Sequence, residues 1–329
     1  MFNSISRSGP ARKRLPWHFL SLPMALVWLM LVISAHAANP KHYATPDEAV
    51  AALVDAARNG QRDKLLDVFG DDAKALFDSG DAVADREAGR RFLAAYDAKH
   101  VLRPVNPGTR VLEIGPDDWP FPIPLRNALG KWYFDAAAGK EELLDRRIGG
   151  NELSAIQVAL AYVDAQREYH ERNPQHAKVA PYADRIVSSQ GKRDGLYWPE
   201  DDNYWQGKDD GGPSPLGILA AEAADEGYNH SRPGAPYHGY YYRILTGQGA
   251  AAPGGARDYR TADGMTGGFA LLAWPASYGV SGVTSFLVNQ DGVVYQRDLG
   301  PKTPDVAHRI TLFNPDQGWQ KVDASASAR

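Results

Sequence analysis

Cysteine is absent from all 329 residues of the chain. Its absence excludes disulfide bridges, thiolate catalysis, Cys-based zinc or iron–sulfur sites, and a lipid attached through an N-terminal cysteine. The motifs of a serine-hydrolase elbow, an H-E-x-x-H zinc site and a phosphate-binding P-loop are absent as well. The fold must therefore be stabilised chiefly by hydrophobic packing, and the sequence carries no familiar catalytic signature. We expect no cofactor.

The first 37 residues contain no acidic residue. Their basic residues come first: Arg7, Arg12, Lys13 and Arg14. An apolar run over about 19–33 and an Ala-His-Ala sequence at 35–37 follow, which is the pattern of a signal peptide. Because the run is shorter than the about 20 apolar residues of a membrane span, we expect cleavage near Ala37. A retained anchor is the alternative.

Without residues 1–37, the chain has 32 Lys and Arg residues against 40 Asp and Glu residues, a net charge of −8. An acidic surface of mixed sign argues against nucleic acid as the main partner. A cleaved signal peptide of bacterial type makes the periplasm the expected location, with no stable membrane span after cleavage. The sequence does not indicate an oligomeric state.

The first part of the chain after residue 43 has helical spacing followed by strand-like runs. Helices are predicted over 46–58, 62–69, 71–77 and 85–99, the first of them capped by Thr45 with Pro46 at its first position. Strands are predicted at 109–114 and 131–135, and the proline-punctuated segment 117–125 reads as an edge strand or a polyproline-like crossing. Helices followed by a curved antiparallel sheet resemble the nuclear-transport-factor-like folds.

We expect the fold class to be α+β, with two domains. A helix from Lys140 is predicted to break at Gly149-Gly150, which places the boundary between domains at 43–149 and 151–322. Asn151 is predicted to cap a helix over 152–171, with Leu153, Ile156, Leu160 and Val163 as its apolar stripe.

The rest of the second domain is irregular at first and then strand-like. Short helices are predicted over 182–187 and 215–226. Apolar, aromatic and β-branched runs at 236–249, 267–289 and 291–300 are separated by glycine-rich turns, which predicts an antiparallel meander. The polar tail 323–329 is predicted to be disordered.

Seven segments resemble an exported bacterial family known as domain of unknown function 2950. They are Trp119-Pro-Phe-Pro-Ile-Pro124, Trp132-Tyr-Phe-Asp-Ala-Ala-Ala-Gly139, Arg147-Ile148, Asn151-Glu152-Leu153, Gly191-Lys-Arg-Asp-Gly-Leu-Tyr-Trp-Pro199, Tyr237-His-Gly-Tyr-Tyr241 and Asp291-Gly-Val-Val-Tyr295. The resemblance extends over nearly the whole chain after residue 37. It implies no activity and no catalytic residues.

The second half is also similar to the globular part of type IV pilins and type II secretion pseudopilins. The strands that carry this resemblance include Gly239-Tyr240-Tyr241, Ala273-Trp274-Pro275 with Gly282, Ser285-Phe286 and Asp291-Gly292-Val293. It implies a pilin-like long helix packed on an antiparallel meander. The chain lacks the prepilin start, so the resemblance concerns the fold and not a fibre subunit.

One cluster of side chains is the leading candidate for ligand binding. It consists of Lys192, Arg193, Asp194, Tyr197 and Trp198. Cations beside aromatic faces in a turn can hold an anionic or glycan-like ligand. The alternative is structural: Arg193 and Asp194 organise the turn, while the aromatic residues cap the core.

An acidic loop suggests a calcium site at Asp201, Asp202, Asp209 and Asp210, because hard cations prefer carboxylate oxygens on flexible loops. The loop fails the EF-hand template, with Trp205, Gln206 and Gly212 at key positions, so a solvated surface loop is the alternative. The histidines have no metal-ligand spacing.

The favoured function is a non-enzymatic binding or scaffolding protein of the cell envelope, with an envelope protein or a glycan-like ligand as its partner. The alternative is a hydrolase of a periplasmic polymer that uses carboxylates at the interdomain cleft. Its candidate carboxylates are Asp135, Glu141, Glu152 and Asp164, none of which the sequence pairs with another. A subunit of an envelope assembly is a third possibility.

Overall fold

The computed structural model describes residues 40–198, 213–228 and 235–322. This part of the chain is a mixed α+β structure, as the sequence predicts. Its helices are α1 (Pro46–Arg58), α2 (Arg62–Phe69), α3 (Lys74–Phe77), α4 (Ala82–Ala98), α5 (Ala136–Arg172), α6 (Gly217–Asp225) and α7 (Thr303–Arg309). None of the helices in these ranges is long and apolar enough to cross a membrane.

The strands pair antiparallel and form a five-stranded sheet in each half of the structure, with two further two-stranded sheets in the second half. They are β1 (His100–Asn106), β2 (Thr109–Ile114), β3 (Trp119–Pro120), β4 (Leu125–Ala128), β5 (Lys131–Phe134), β6 (Tyr240–Leu245), β7 (Gly247–Gln248), β8 (Arg257–Asp258), β9 (Arg260–Thr261), β10 (Gly264–Met265), β11 (Ala270–Pro275), β12 (Thr284–Asn289), β13 (Tyr295–Asp298) and β14 (Gln320–Lys321). The first sheet has the order β1-β2-β4-β5, with β3 paired to β2. The second has the order β14-β13-β12-β11-β6.

The start of α1 follows the predicted capping chemistry. The Thr45 Oγ1 accepts a hydrogen bond of 3.1 Å from the Glu48 N–H, and the Glu48 carboxylate accepts one from the Ala44 N–H. Both bonds satisfy backbone donors that would otherwise lack a partner next to the first turn. The apolar face of α1 then packs on α2 and β5. It contributes Leu53 to the first hydrophobic cluster, which consists of buried side chains between Tyr43 and Ala136.

The proline-punctuated segment is only partly an edge strand. Trp119 and Pro120 form β3, and Phe121 and Ile123 turn their side chains into the first hydrophobic cluster. The guanidinium carbon of Arg146 lies 5.1 Å from the centre of the Trp119 ring. The segment therefore packs under the start of α5, and it is not a free polyproline surface.

Helix α5 corrects the prediction of a break at Gly149-Gly150. The helix runs unbroken from Ala136 to Arg172, because both glycines keep helical geometry and Asn151 does not cap. The Asn151 side chain instead donates a hydrogen bond of 2.8 Å to the Ser281 carbonyl. The Glu152 carboxylate accepts from the Val283 and Thr284 N–H groups, so these two side chains anchor a distant loop to the middle of the helix.

The buried face of α5 also differs from the predicted stripe. Ile156 and Val163 are buried as expected, but Leu153 is 44% exposed. The buried positions include Tyr162, Gln166 and Tyr169, which a purely apolar pattern does not select. The Gln166 amide is satisfied by hydrogen bonds to the Ala183 backbone N–H and carbonyl, which explains how a polar side chain is buried there.

The predicted apolar runs form antiparallel strands, with both β11 and β12 inside the run 267–289. Strands β6, β11, β12 and β13 are neighbours in the second sheet, and α5 packs on β11 and β12. Leu271 of β11 pairs with Ile244 on one side and Val288 on the other. The segment 182–187, predicted as a helix, is extended instead: the Tyr182 N–H bonds to the Met265 carbonyl and the Tyr197 N–H to the Ile186 carbonyl.

Buried apolar side chains form two clusters, one from Tyr43 to Ala136 and one from Ala155 to Phe313. Helix α5 contributes to both of them. The division into domains at 43–149 and 151–322 therefore stays a prediction. The tail 323–329 lies outside the described residues.

Candidate functional site

A cavity of about 970 Å³ lies between the start of α4, the middle of α5, helix α6 and strand β6. Its walls are mostly apolar, with side chains such as Val158, Leu219 and Ile244. Five tyrosines also line it: Tyr162, Tyr197, Tyr228, Tyr237 and Tyr242. This volume and composition are typical of a site for a small molecule, where apolar walls enclose the ligand and few polar groups orient it.

Asp81 joins three distant parts of the chain at one end of this cavity. It is 1% exposed and caps α4, because its Oδ1 accepts from the Val83 and Ala84 N–H groups at 3.1 Å. Its Oδ2 accepts from the Tyr228 hydroxyl and the Gly239 N–H, both at 2.8 Å. Four donors and the positive end of a helix of 17 residues stabilise the carboxylate, which has no cationic partner among the described residues.

Tyr228 and its neighbours form an aromatic corner beside Asp81. The rings of Tyr228 and Tyr237 meet edge to face with centroids 4.8 Å apart, and the His238 ring lies 4.2 Å from that of Tyr237. Burial and the negative charge of Asp81 raise the pKa of Tyr228 well above its ordinary value. Its hydroxyl is therefore protonated at neutral pH and donates to Asp81, while it accepts from the His238 N–H at 3.1 Å.

The cationic and carboxylate groups around the cavity differ in how they are paired. Arg185 lies 3.6 Å from the Asp194 carboxylate and donates to the Ser189 hydroxyl. Asp184, beside it, lies within ion-pair distance of both Arg185 and Arg260. Arg86 is exposed on α4 and has no ion pair or hydrogen bond within the described ranges.

The residues predicted to bind a ligand lie in one loop beside the cavity. Arg193 and Trp198 are buried, with the guanidinium carbon 5.4 Å from the ring centre, and the Arg193 carbonyl accepts from the Tyr169 hydroxyl. Lys192 is exposed and Tyr197 is half-buried. Tyr197 is the member of this group that lines the cavity. Ligand binding by the group as a whole stays a prediction.

Asp194 holds the same loop together. Its carboxylate accepts from the Ser189 N–H at 2.7 Å and from the Ser189 hydroxyl at 2.9 Å. Although burial acts to raise the pKa of Asp194, these hydrogen bonds and the charge of Arg185 outweigh it and lower that pKa. The ionised form is therefore the form that the folded loop stabilises.

We expect Asp194→Asn to lower the free energy of unfolding by about 1 kcal/mol at pH 7. The folded pKa lies below the ordinary aspartate value of about 3.9, so the contribution is complete above that pH and is lost as the pH falls through the folded pKa. Urea unfolding from pH 7 to pH 3 should show the difference between the two proteins shrinking only at the acidic end. A difference that is constant over this range would show that the charge of Asp194 is not involved.

The predicted calcium ligands Asp201, Asp202, Asp209 and Asp210 lie outside the described residues. Within the described ranges, no three His, Asp or Glu side chains are grouped closely enough to hold a metal ion. His238 lies 3.3 Å from the Glu226 carboxylate, and His170 stacks on Tyr182. These two histidines therefore have structural neighbours in the part of the chain that the structure describes.

The carboxylates considered for a hydrolase are not brought together in the cavity. Asp135 caps α5 and pairs with Arg126, and Asp164 pairs with Arg167 on the surface. Glu152 lies in the middle of α5, where its carboxylate binds the loop at 283–284. Of the acids that do line the cavity, Asp81 already accepts four hydrogen bonds.

Sequence reasoning missed the cavity and Asp81. A local signal existed, because Gly80-Asp81 before Ala82 is typical of an N-cap, but the helix was predicted to begin only at residue 85. The partners of Asp81 at 228 and 239 gave no local signal.

The fold and the cavity together define an α+β protein with a tyrosine-lined cavity. Residues 40–322 match the model of the family described as protein of unknown function (DUF2950), and the chain belongs to this family. The match confirms the resemblance seen in the seven sequence segments. No curated protein and no solved structure is significantly similar to the chain, so the pilin-like and nuclear-transport-factor-like interpretations stay predictions.

Proposed function

We propose that the protein is an exported, non-enzymatic binding protein of the cell envelope that takes a small, largely apolar ligand into the cavity. The observation that carries the proposal is the combination of an apolar, tyrosine-lined cavity of about 970 Å³ with a carboxylate, Asp81, whose oxygens are already occupied by four donors. Such a wall can enclose a ligand by burying its apolar surface, and Asp81 has no free acceptor position for proton transfer.

The tyrosines that line the cavity also support ligand binding over catalysis. Burial raises the pKa of Tyr237 and Tyr242, as well as that of Tyr228, far above neutral pH. These hydroxyls stay protonated, so they act as hydrogen-bond groups and as flat apolar faces, and not as bases or nucleophiles. The proposal therefore places binding, and no reaction, at this site.

Export rests on the basic and apolar pattern of residues 1–37. The protein for the binding experiment is produced from the full chain and recovered from periplasmic extract, where its intact mass reports cleavage after Ala37. Recovery only from the cytoplasm at full mass would contradict export and would leave the binding result unaffected.

N-phenyl-1-naphthylamine, an uncharged dye that fluoresces in apolar surroundings, tests the site directly. We expect the double variant Val158→Trp/Ala220→Trp, which adds bulk to the cavity from α5 and α6, to bind it at least about tenfold more weakly. The matched control is Gln157→Trp/Ala221→Trp, which changes the neighbouring exposed residues of the same helices and should bind the dye like the unchanged protein.

Thermal unfolding of each variant shows whether it is folded, and the single variant Val158→Trp replaces the double one if that does not fold. Saturable dye binding that the cavity variants weaken and the control retains supports the proposal. No saturable binding, or equal binding by the cavity variant and the control, would contradict it.

A further inference from the structure

Arg86 is a cation at the cavity wall without a counter-charge in the described chain. It lies one helical turn after Ala82 on α4, and both residues line the cavity. The next two arginines of this helix, Arg90 and Arg91, both pair with Glu87. Arg86 has no such neighbour in the described ranges and is exposed, so its guanidinium can bind a ligand without first breaking an ion pair there.

The other charged groups that line the cavity are already engaged. The Asp81 carboxylate accepts four hydrogen bonds, and Asp184 and Arg185 lie within ion-pair distance of each other. The Arg243 guanidinium donates to the Ala307 and Ile310 carbonyls on the far side of the sheet, where it lies over Trp274. Arg86 is therefore the cation at the wall whose guanidinium has no hydrogen bond or ion pair among the described residues.

The aromatic walls favour a flat ligand. Aromatic rings pack edge to face or offset with centroids 4.5–7 Å apart, and each such pair adds about 0.5–1.5 kcal/mol beyond the burial of area. Tyr228 and Tyr237 already show this edge-to-face packing, and Tyr197 and Tyr242 present further aromatic side chains at the same cavity. A ring system can contact several of these tyrosines at once, which a flexible chain does less well.

We propose that the ligand is an aromatic acid, with its ring body among the tyrosines and a single carboxylate or sulfonate group bound by Arg86. The proposal rests on the proposed function and adds the chemical class of the ligand. An arginine fork binds such a group through two parallel charge-assisted hydrogen bonds, which gives both affinity and orientation.

Two dyes with the same rings test the acidic group separately from the cavity. N-phenyl-1-naphthylamine is neutral, and 1-anilinonaphthalene-8-sulfonate carries one sulfonate. We expect the unchanged protein to bind the sulfonate about tenfold more tightly than the neutral dye. In Arg86→Gln we expect this preference to disappear while the affinity for the neutral dye stays the same.

Arg86→Lys, which keeps the charge, should retain part of the preference. The matched control is Arg90→Gln, on the same helix but paired with Glu87 and outside the cavity lining, and it should behave as the unchanged protein. Arg86 is exposed, so the variants should keep the unfolding temperature. Equal binding of both dyes by the unchanged protein, or a sulfonate preference that survives Arg86→Gln, would overturn the proposal that Arg86 binds an aromatic acid. If the unchanged protein does not bind the neutral dye, the proposed function itself is contradicted.

Discussion

Asp81→Ala is expected to lower the free energy of unfolding by about 3–5 kcal/mol, because it leaves buried donors without an acceptor. The side chain is 1% exposed and accepts from two backbone N–H groups of α4, the Tyr228 hydroxyl and the Gly239 N–H. The bonds from Tyr228 and Gly239 join Asp81 to residues that lie 147 and 158 positions further along the chain. The loss therefore combines a helix cap with a tertiary junction. Urea unfolding followed by tryptophan fluorescence measures it.

Asp135→Ala is the matched control for this effect. Asp135 also caps a helix, but its carboxylate accepts one backbone hydrogen bond, from the Ala138 N–H at 3.2 Å, and one from the Arg126 Nε in a partly exposed ion pair. Its loss is expected to cost only about 1 kcal/mol. Asp81→Asn should fall between the two alanine variants, because an amide can still cap α4 but offers only one acceptor atom. If the two alanine variants differ by less than about 1 kcal/mol, Asp81 is an ordinary cap and no junction.

Gly139→Ala is expected to destabilise the protein by about 2 kcal/mol, although alanine is the better helix former by about 1 kcal/mol. A Cβ atom at this position would lie 2.5 Å from the Pro122 carbonyl oxygen and 2.7 Å from the Ile123 Cα. Both atoms belong to the backbone of the proline-punctuated segment, so neither can move aside by a change of rotamer. Chemical denaturation gives the free energy directly.

Gly149→Ala and Gly150→Ala are the controls on the same helix, and we expect each of them to raise the free energy of unfolding. Apart from the neighbouring backbone of α5 itself, no atom lies within 4 Å of a Cβ at either position, so only helix propensity changes. Each is expected to stabilise the protein by about 1 kcal/mol. Destabilisation by either variant would mean that α5 is interrupted there. Stabilisation by Gly139→Ala would mean that the proline-punctuated segment does not approach the helix.

Short-range signals account for the parts of the fold that the sequence predicted well. The Thr45 cap and Pro46 mark the start of α1, and the glycine-rich turns separate the strands of the meander. Each of these features depends on residues within a few positions of one another. The α+β class follows from them, because helices and antiparallel strands occur in separate runs.

Long-range contacts account for the errors. Gly149-Gly150 is a strong local break signal, but Asn151 and Glu152 bind the loop at 281–284, and this tertiary contact outweighs it. Asp81 at the cavity end depends on Tyr228 and Gly239, which no local pattern connects with it. In the predicted binding group, the buried Arg193 and Trp198 show that a charge beside an aromatic residue does not indicate exposure.

Several segments that carry the family resemblance meet in the structure. The Trp119–Pro124 segment packs on Gly139 at the end of the next motif, and Asn151 of a third motif binds the Ser281 carbonyl beside Gly239 of a fourth. Arg147 donates to the Ala75 and Leu76 carbonyls. These motifs therefore meet along α5, which contributes to both hydrophobic clusters.

A crystal structure of the protein with 1-anilinonaphthalene-8-sulfonate tests the cavity as a ligand site most directly. We predict density for the rings between α4, α5 and β6, in contact with Tyr237 and Tyr242, and sulfonate oxygens about 3 Å from the Arg86 guanidinium. The same soak of Val158→Trp/Ala220→Trp should leave the cavity without the dye. Dye bound only at other surfaces of the unchanged protein, with the cavity closed by its own side chains, would contradict the account.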